Sequence, residues 1–184
     1  MSLFSPETLV DRVARQLERR PAATATWLVA LSVVGALVPA LAVYVGTRYL
    51  TTAWDFELGY TPVSDGRIDP FRATLFGLLL APWLIAAITT LVAPMYDRPR
   101  QPRKAFATAV IGTVPLYIAC SFMFFMPAIL LVGFAFLVSC NWWGVAEQRL
   151  LGIDSGRSAE LTAVSLLGAS VALQFAGGWL SGML

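Results

Sequence analysis

Residues 97–119 read "DRPRQPRKAFATAVIGTVPLYIA". The first eight, Asp97 to Lys104, hold three arginines, a lysine and two prolines. An apolar run follows at once and carries Pro115 in its middle. Proline cannot continue a helix without losing a hydrogen bond, so Pro99 and Pro102 separate two helical segments. Basic residues gather on the cytoplasmic flanks of membrane helices. The stretch therefore reads as a cytoplasmic hinge feeding a membrane span.

Composition agrees. Of 184 residues, 58% are hydrophobic and 13% charged, against about a quarter charged in a typical soluble domain. Mean hydropathy is +0.71. A net charge of +2 is too small to suggest a nucleic-acid partner. The chain has no histidine, which removes the commonest general base and metal ligand. Cys120 and Cys140 each stand alone in an apolar run, without the spacing of a metal or redox motif. No nucleophile with its base, no metal cluster and no phosphate loop is legible. The expectation is a protein that is not an enzyme and carries no cofactor.

The first 26 residues are polar, and the apolar run after them is too long for a signal peptide's core. That run is expected to stay as an anchor. In "SPETLVDRVARQLERRP", Ser5 can cap a helix, Pro6 suits its first position and Glu7 faces the positive end of its dipole. Leu9, Val10, Val13 and Leu17 fall on one face, while Arg12, Arg15, Arg19 and Arg20 dominate the rest. The pattern is that of an amphipathic helix lying among headgroups; a solvated leader helix is the plainer reading.

Five apolar runs follow, over about 27–50, 73–95, 105–125, 127–143 and 161–179, each near the length needed to cross roughly 30 Å of hydrocarbon. Only Met126 and Pro127 separate the third from the fourth. One continuous helix there, roughly 39 residues, would be about 58 Å long, so Pro127 is expected to mark a tight turn. The fold expected is all-α: a polytopic membrane bundle of five transmembrane helices with an N-terminal interfacial helix. Residues 1–26 form the helix and its lead-in, 27–182 the membrane domain, and 51–72 an outside loop with Trp54, Phe56, Tyr60 and Phe71 suited to the interface.

Five spans put three basic segments on one side, with ten basic residues against three on the other (Arg48, Arg67 and Arg72). This positive-inside bias makes the N-terminus cytoplasmic and the C-terminus external.

No ionisable residue lies near the centre of a run, which argues against a proton-driven transporter. Asn141, Gln174, Tyr117 and Ser121 are polar groups within or at the ends of spans; they suit interhelical hydrogen bonds or, alternatively, ligand contact. Pro39, Pro82 and Pro115 each free a backbone carbonyl one turn earlier, that of Leu78 for Pro82 and Ile111 for Pro115. Such groups must be satisfied inside a bundle. The prolines read as packing kinks or as breaks lining a cavity. Gly35 and Pro39, Gly168 and Ala172, and Gly178 and Gly182 stand four apart, a spacing that permits close helix contact.

The basic hinge, the short "FMP" turn and the later stretch "NWWGVAEQRLLGIDSGRSAELTAV" together resemble the Yip family of Ypt/Rab-GTPase-interacting polytopic membrane proteins, in its bacterial branch. The resemblance covers about 73–182. It implies five spans with a cytoplasmic N-terminus and supplies no catalytic residues. Eukaryotic members are tied to Rab GTPases; that partnership is not carried over, because a bacterial source would lack Rab traffic. Twelve arginines to one lysine, with abundant alanine and leucine, suggest a high-GC bacterial source and hence the bacterial inner membrane.

The function expected is that of an accessory or assembly subunit, or scaffold, of a larger membrane complex. Its partners would be membrane lipids and other integral subunits. Arg98, Arg100, Arg103 and Lys104, with Arg12, Arg15 and Arg19, would touch acidic headgroups or an acidic partner surface. The alternative is a small-molecule or lipid transporter or channel component built on the proline-bearing helices.

Overall fold

The computed structural model describes residues 5–45, 70–122 and 128–183. Most of the expected outside loop, Arg48 and the turn at Met126–Pro127 lie outside the described residues. Those described form helices and no strand: α1 (Pro6–Arg19), α2 (Pro21–Val45), α3 (Pro70–Val92) with a 3-10 turn (Ala93–Tyr96), α4 (Pro102–Cys120), α5 (Ala128–Ala146) running on as a π-helical turn (Glu147–Leu151), and α6 (Ser155–Met183).

Proline sets most of these starts. Pro6, Pro21, Pro70 and Pro102 each open a helix, where a missing N–H costs nothing and the fixed φ is already helical. The Ser5 side chain caps α1 by accepting from the Thr8 backbone N–H. Arg20 leaves helical geometry and Pro21 begins α2 at once. The second helix therefore starts six residues before the apolar run at Trp27, so the stretch expected as a lead-in is itself helical.

Among the described residues, four helices are long and apolar enough to cross a membrane: Pro21–Val45, Thr74–Tyr96, Leu130–Leu151 and Ser155–Phe175. The chain is thus an all-helical protein compatible with a membrane. The fourth run extends well beyond residue 143, where the sequence placed its end. α4 is not among the four. Its first turn carries Arg103 and Lys104, and half of its body from Ala105 on is Ala, Gly, Thr or Pro.

Those small residues make α4 the inner helix. It packs on α5, α3 and α2, and more lightly on α1. From Ala107 to Thr113 every residue is buried. A Cβ on Gly112 would overlap the Trp143 indole of α5. The indole, 2% exposed, donates its Nε1–H to the Ala109 carbonyl at 3.2 Å. On the opposite pairing, the Tyr117 ring lies against Gly35 of α2, which again has no room for a Cβ. The Gly35 spacing noted in the sequence thus serves packing within the chain. α6 closes the bundle against α3, where the buried Thr89 and Ser165 hydroxyls share a hydrogen bond of 3.0 Å.

The outside is apolar and part of the inside is polar. Val34, Leu37, Leu41, Trp83, Leu130, Phe134, Leu137, Leu167 and Phe175 are exposed, while Ser32, Thr108, Thr113, Ser139 and Thr162 are buried. That inversion suits a lipid solvent.

α1 differs from its expectation. Val10 and Val13 are packed with Leu28, Ala107, Val110, Ile111, Ala146 and Leu150. The apolar face expected to enter lipid is covered by the protein's own helices.

Two substitutions test the inner contact. Trp143→Ala should cost about 3 kcal/mol or more, and Gly112→Val should also lower the thermal midpoint in detergent. The double variant should lose less than the sum of the singles, because the valine occupies part of the space the indole leaves.

Candidate functional site

The three basic segments meet at one end of the bundle. The 3-10 turn after α3 closes on Asp97, whose φ of 58° is left-handed. Its N–H reaches the Pro94 carbonyl, and that of Arg98 reaches Ala93. Pro99 and Pro102 then fix the corner into α4. At the far end of α5 the π-helical turn closes on Gly152, with φ of 69°, and the N–H groups of Gly152 and Ile153 both reach the Glu147 carbonyl. The Asp154 carbonyl accepts from Arg157 and Ser158 and starts α6.

Side chains lock these pieces together. The Arg157 guanidinium lies 5.0 Å from the Tyr96 ring centroid, donates to the Met95 carbonyl at 3.2 Å and pairs with Asp97 at 3.5 Å. Tyr96 is buried with Leu151, Ile153 and Leu161. The Arg98 guanidinium lies over Gly152. Gln148 donates to Ser158 at 3.2 Å. Arg149 meets Asp11 of α1 at 3.7 Å, both about half exposed, a geometry that adds little stability. α1, the hinge, the π-helical turn and the start of α6 are therefore neighbours, and α4 begins where α5 ends.

The basic residues singled out in the sequence divide into two groups. Arg12, Arg15, Arg19, Arg100 and Arg103 are exposed, whereas Arg98 and Lys104 are half-buried. Arg12, Arg15, Gln16 and Arg19 share one face of α1 and line a shallow cleft of about 270 Å³. Gln16 and Arg19 also line a second cleft of about 420 Å³ with Arg20, Ala23, Thr24 and Trp27, at the elbow between α1 and α2.

The polar residues within the helices do not converge. Tyr117 is buried between α2 and α3, and its hydroxyl donates to the Leu78 carbonyl at 3.3 Å. Ser121 donates to the Tyr117 carbonyl at 2.9 Å. Asn141 and Gln174 are exposed on α5 and α6. Pro39, Pro82 and Pro115 lie inside helices that stay unbroken. Leu78 is the residue whose carbonyl Pro82 frees, so the Tyr117 hydroxyl satisfies it from a neighbouring helix. Thr113, close in sequence to Ile111 whose carbonyl Pro115 frees, donates to the Ala109 carbonyl.

Sequence reasoning missed Glu147. Its side chain is 2% exposed and accepts from the Thr162 hydroxyl at 2.9 Å, linking the π-helical turn to α6. The signal was available: Glu147 stands four after the buried Trp143 and three before the buried Leu150, on the inner face of the helix. Among the described residues, no group of three or more His, Cys, Asp or Glu could hold a metal ion.

No family model, curated protein or solved structure matches the chain.

The Tyr117 contact is testable by a double-mutant cycle. Tyr117→Phe should destabilise by about 1 kcal/mol. In a Pro82→Ala background, the restored N–H at residue 82 satisfies the Leu78 carbonyl, and Tyr117→Phe should then be close to neutral in thermal unfolding.

Proposed function

We propose that the chain is a non-catalytic integral membrane protein of the Yip type, with five crossings, acting by contact as an accessory or assembly subunit of a larger membrane complex. α1 and the basic hinge face the cytoplasm of a bacterial cell, and the C-terminus lies outside the inner membrane. Supporting five crossings, α4 starts and α5 ends at the same end of the bundle, so each traverses it. Supporting the orientation, that end carries the basic excess of the sequence.

The observation that carries the contact role is the division of the charges. Arg157 and Arg98 are engaged in holding the end together. Arg100 and Arg103 are exposed, and among the described residues no carboxylate pairs with them. A surface so arranged suits an acidic partner or anionic headgroups. Asn141, Gln174 and Tyr117 line no common cavity, so nothing favours the transporter reading over this one. The resemblance to Yip proteins supports the same architecture, through the hinge and the stretch from Gly152 to Ala159.

The test is a gentle-detergent pull-down from the native membrane, with native-gel sizing. The accessory reading requires co-migration with a defined set of larger membrane subunits; a lone monomer or small homo-oligomer defeats it. Arg100→Gln/Arg103→Gln should weaken that association while leaving the stability within about 0.5 kcal/mol of the parent for each exposed substitution. A reporter active only outside the membrane should score positive at the C-terminus and negative at the N-terminus.

A further inference from the structure

α1 keeps its charges in separate stripes. Val10, Val13 and Leu17 face the protein. Glu7, Asp11 and Glu18 form a second line, from which Asp11 reaches Arg149. Arg12, Arg15, Gln16 and Arg19 form a third, at helical spacings of three, four and seven. Among the described residues, no carboxylate lies within ion-pair distance of Arg12, Arg15, Arg19 or Arg20. The third stripe runs down to the elbow, where Arg20 follows and the larger cleft opens.

Depth is set by α2. Its first turns, Pro21 to Thr26, are small or polar, and from Trp27 to Val45 the helix is apolar apart from a serine and a tyrosine. Trp27 is exposed and marks the level at which an aromatic ring suits a membrane interface. Ala23, Trp27, Ala30, Val34, Leu37 and Leu41 are all exposed and repeat at three and four residues. The stripe leaves the cleft at Ala23 and Trp27 and runs down the length of α2 as an apolar track.

We infer that the elbow between α1 and α2 is a seat for one anionic phospholipid, its phosphate held by Arg19 and Arg20 with Gln16, its acyl chain laid along the Ala23–Leu41 stripe. This rests on the reading of the chain as membrane-embedded and adds a specific ligand to it. A basic cleft alone suits any phosphate; a basic cleft opening onto a continuous apolar track suits a molecule with a charged head and a hydrocarbon tail. Packing of α1 on the bundle holds the guanidinium groups at a fixed height above Trp27. A zwitterionic lipid brings its own cation into the same cleft and is disfavoured.

The full chain, purified in neutral detergent and stripped of lipid, would be titrated with phosphatidylglycerol, phosphatidylcholine and glycerol phosphate and read by native mass spectrometry. Phosphatidylglycerol should be retained in preference to phosphatidylcholine. Arg19→Gln/Arg20→Gln should weaken it about thirtyfold, from roughly fivefold per basic residue. Arg72→Gln, which removes an exposed charge at the opposite end of α3, should change it less than twofold. Trp27→Ala should weaken lipid binding while the variant elutes as the parent does on gel filtration. Equal binding of phosphatidylcholine, undiminished binding by Arg19→Gln/Arg20→Gln, or displacement by glycerol phosphate at the concentration of the lipid would each overturn the seat. Alkaline extraction of native membranes separates the two levels. A chain that washes off defeats the membrane reading and the seat with it; a chain that stays but shows no headgroup preference defeats the seat alone.

Discussion

The close approach of α5 to α4 is the contact on which the other packing rests. A glycine at 112 lets the pyrrole edge of the Trp143 indole come close to a helix backbone, and the indole N–H finds a carbonyl there. In a lipid solvent helices gain little from hiding hydrocarbon, because the tails outside are as apolar as the side chains. Dispersion contacts and satisfied polar groups must do the holding. Both depend on short distances, and short distances depend on Gly112 and Gly35. The same economy explains why α4 is rich in alanine and threonine: an inner helix touched by four neighbours has no volume for leucine on every side.

Hydrogen bonding follows from that closeness. The carbonyl freed by Pro82 is reached from α4 by Tyr117 only because the tyrosine ring lies tightly against α2 and α3. Thr89 and Ser165 satisfy one another across α3 and α6. The kink residues are thus built into the packing, and their helices remain continuous. A proline in such a helix does not by itself signal a cavity; the decisive matter is what meets its orphaned carbonyl.

Much of the element order was legible in the sequence. Prolines at helix starts, the face of α1 and the apolar runs are local signals. Two features were not, for the same reason. Hydropathy measures how apolar a segment is, and lipid-facing and protein-facing surfaces are both apolar. It could not place α4 in the centre, nor tell that the face of α1 made by Val10 and Val13 docks on protein. The early start of α2 was hidden because Ala22 to Thr26 are indifferent to environment. Among the candidate residues, the exposure of Arg12, Arg15 and Arg19 followed from the α1 pattern. The half-burial of Arg98 did not, since it depends on Gly152, far away in sequence. Asn141 and Gln174 were expected to bond between helices. Both are instead exposed on the outer surface of the bundle, because which way a helix faces is not recorded in hydropathy.

The docking of α1 changes what that helix can do. A free amphipathic helix binds a membrane by sinking its apolar face, and its charges follow wherever the helix floats. Here the apolar face is occupied by the bundle, so sinking contributes nothing. What remains is a docked arm that carries four arginines beside the start of the apolar part of α2. An acidic surface or headgroup that meets them does so in a fixed geometry, with no ordering of the arm to offset. Fixed geometry is what distinguishes a site from a diffuse basic cloud. It is supplied by Val10 and Val13, residues that touch no ligand.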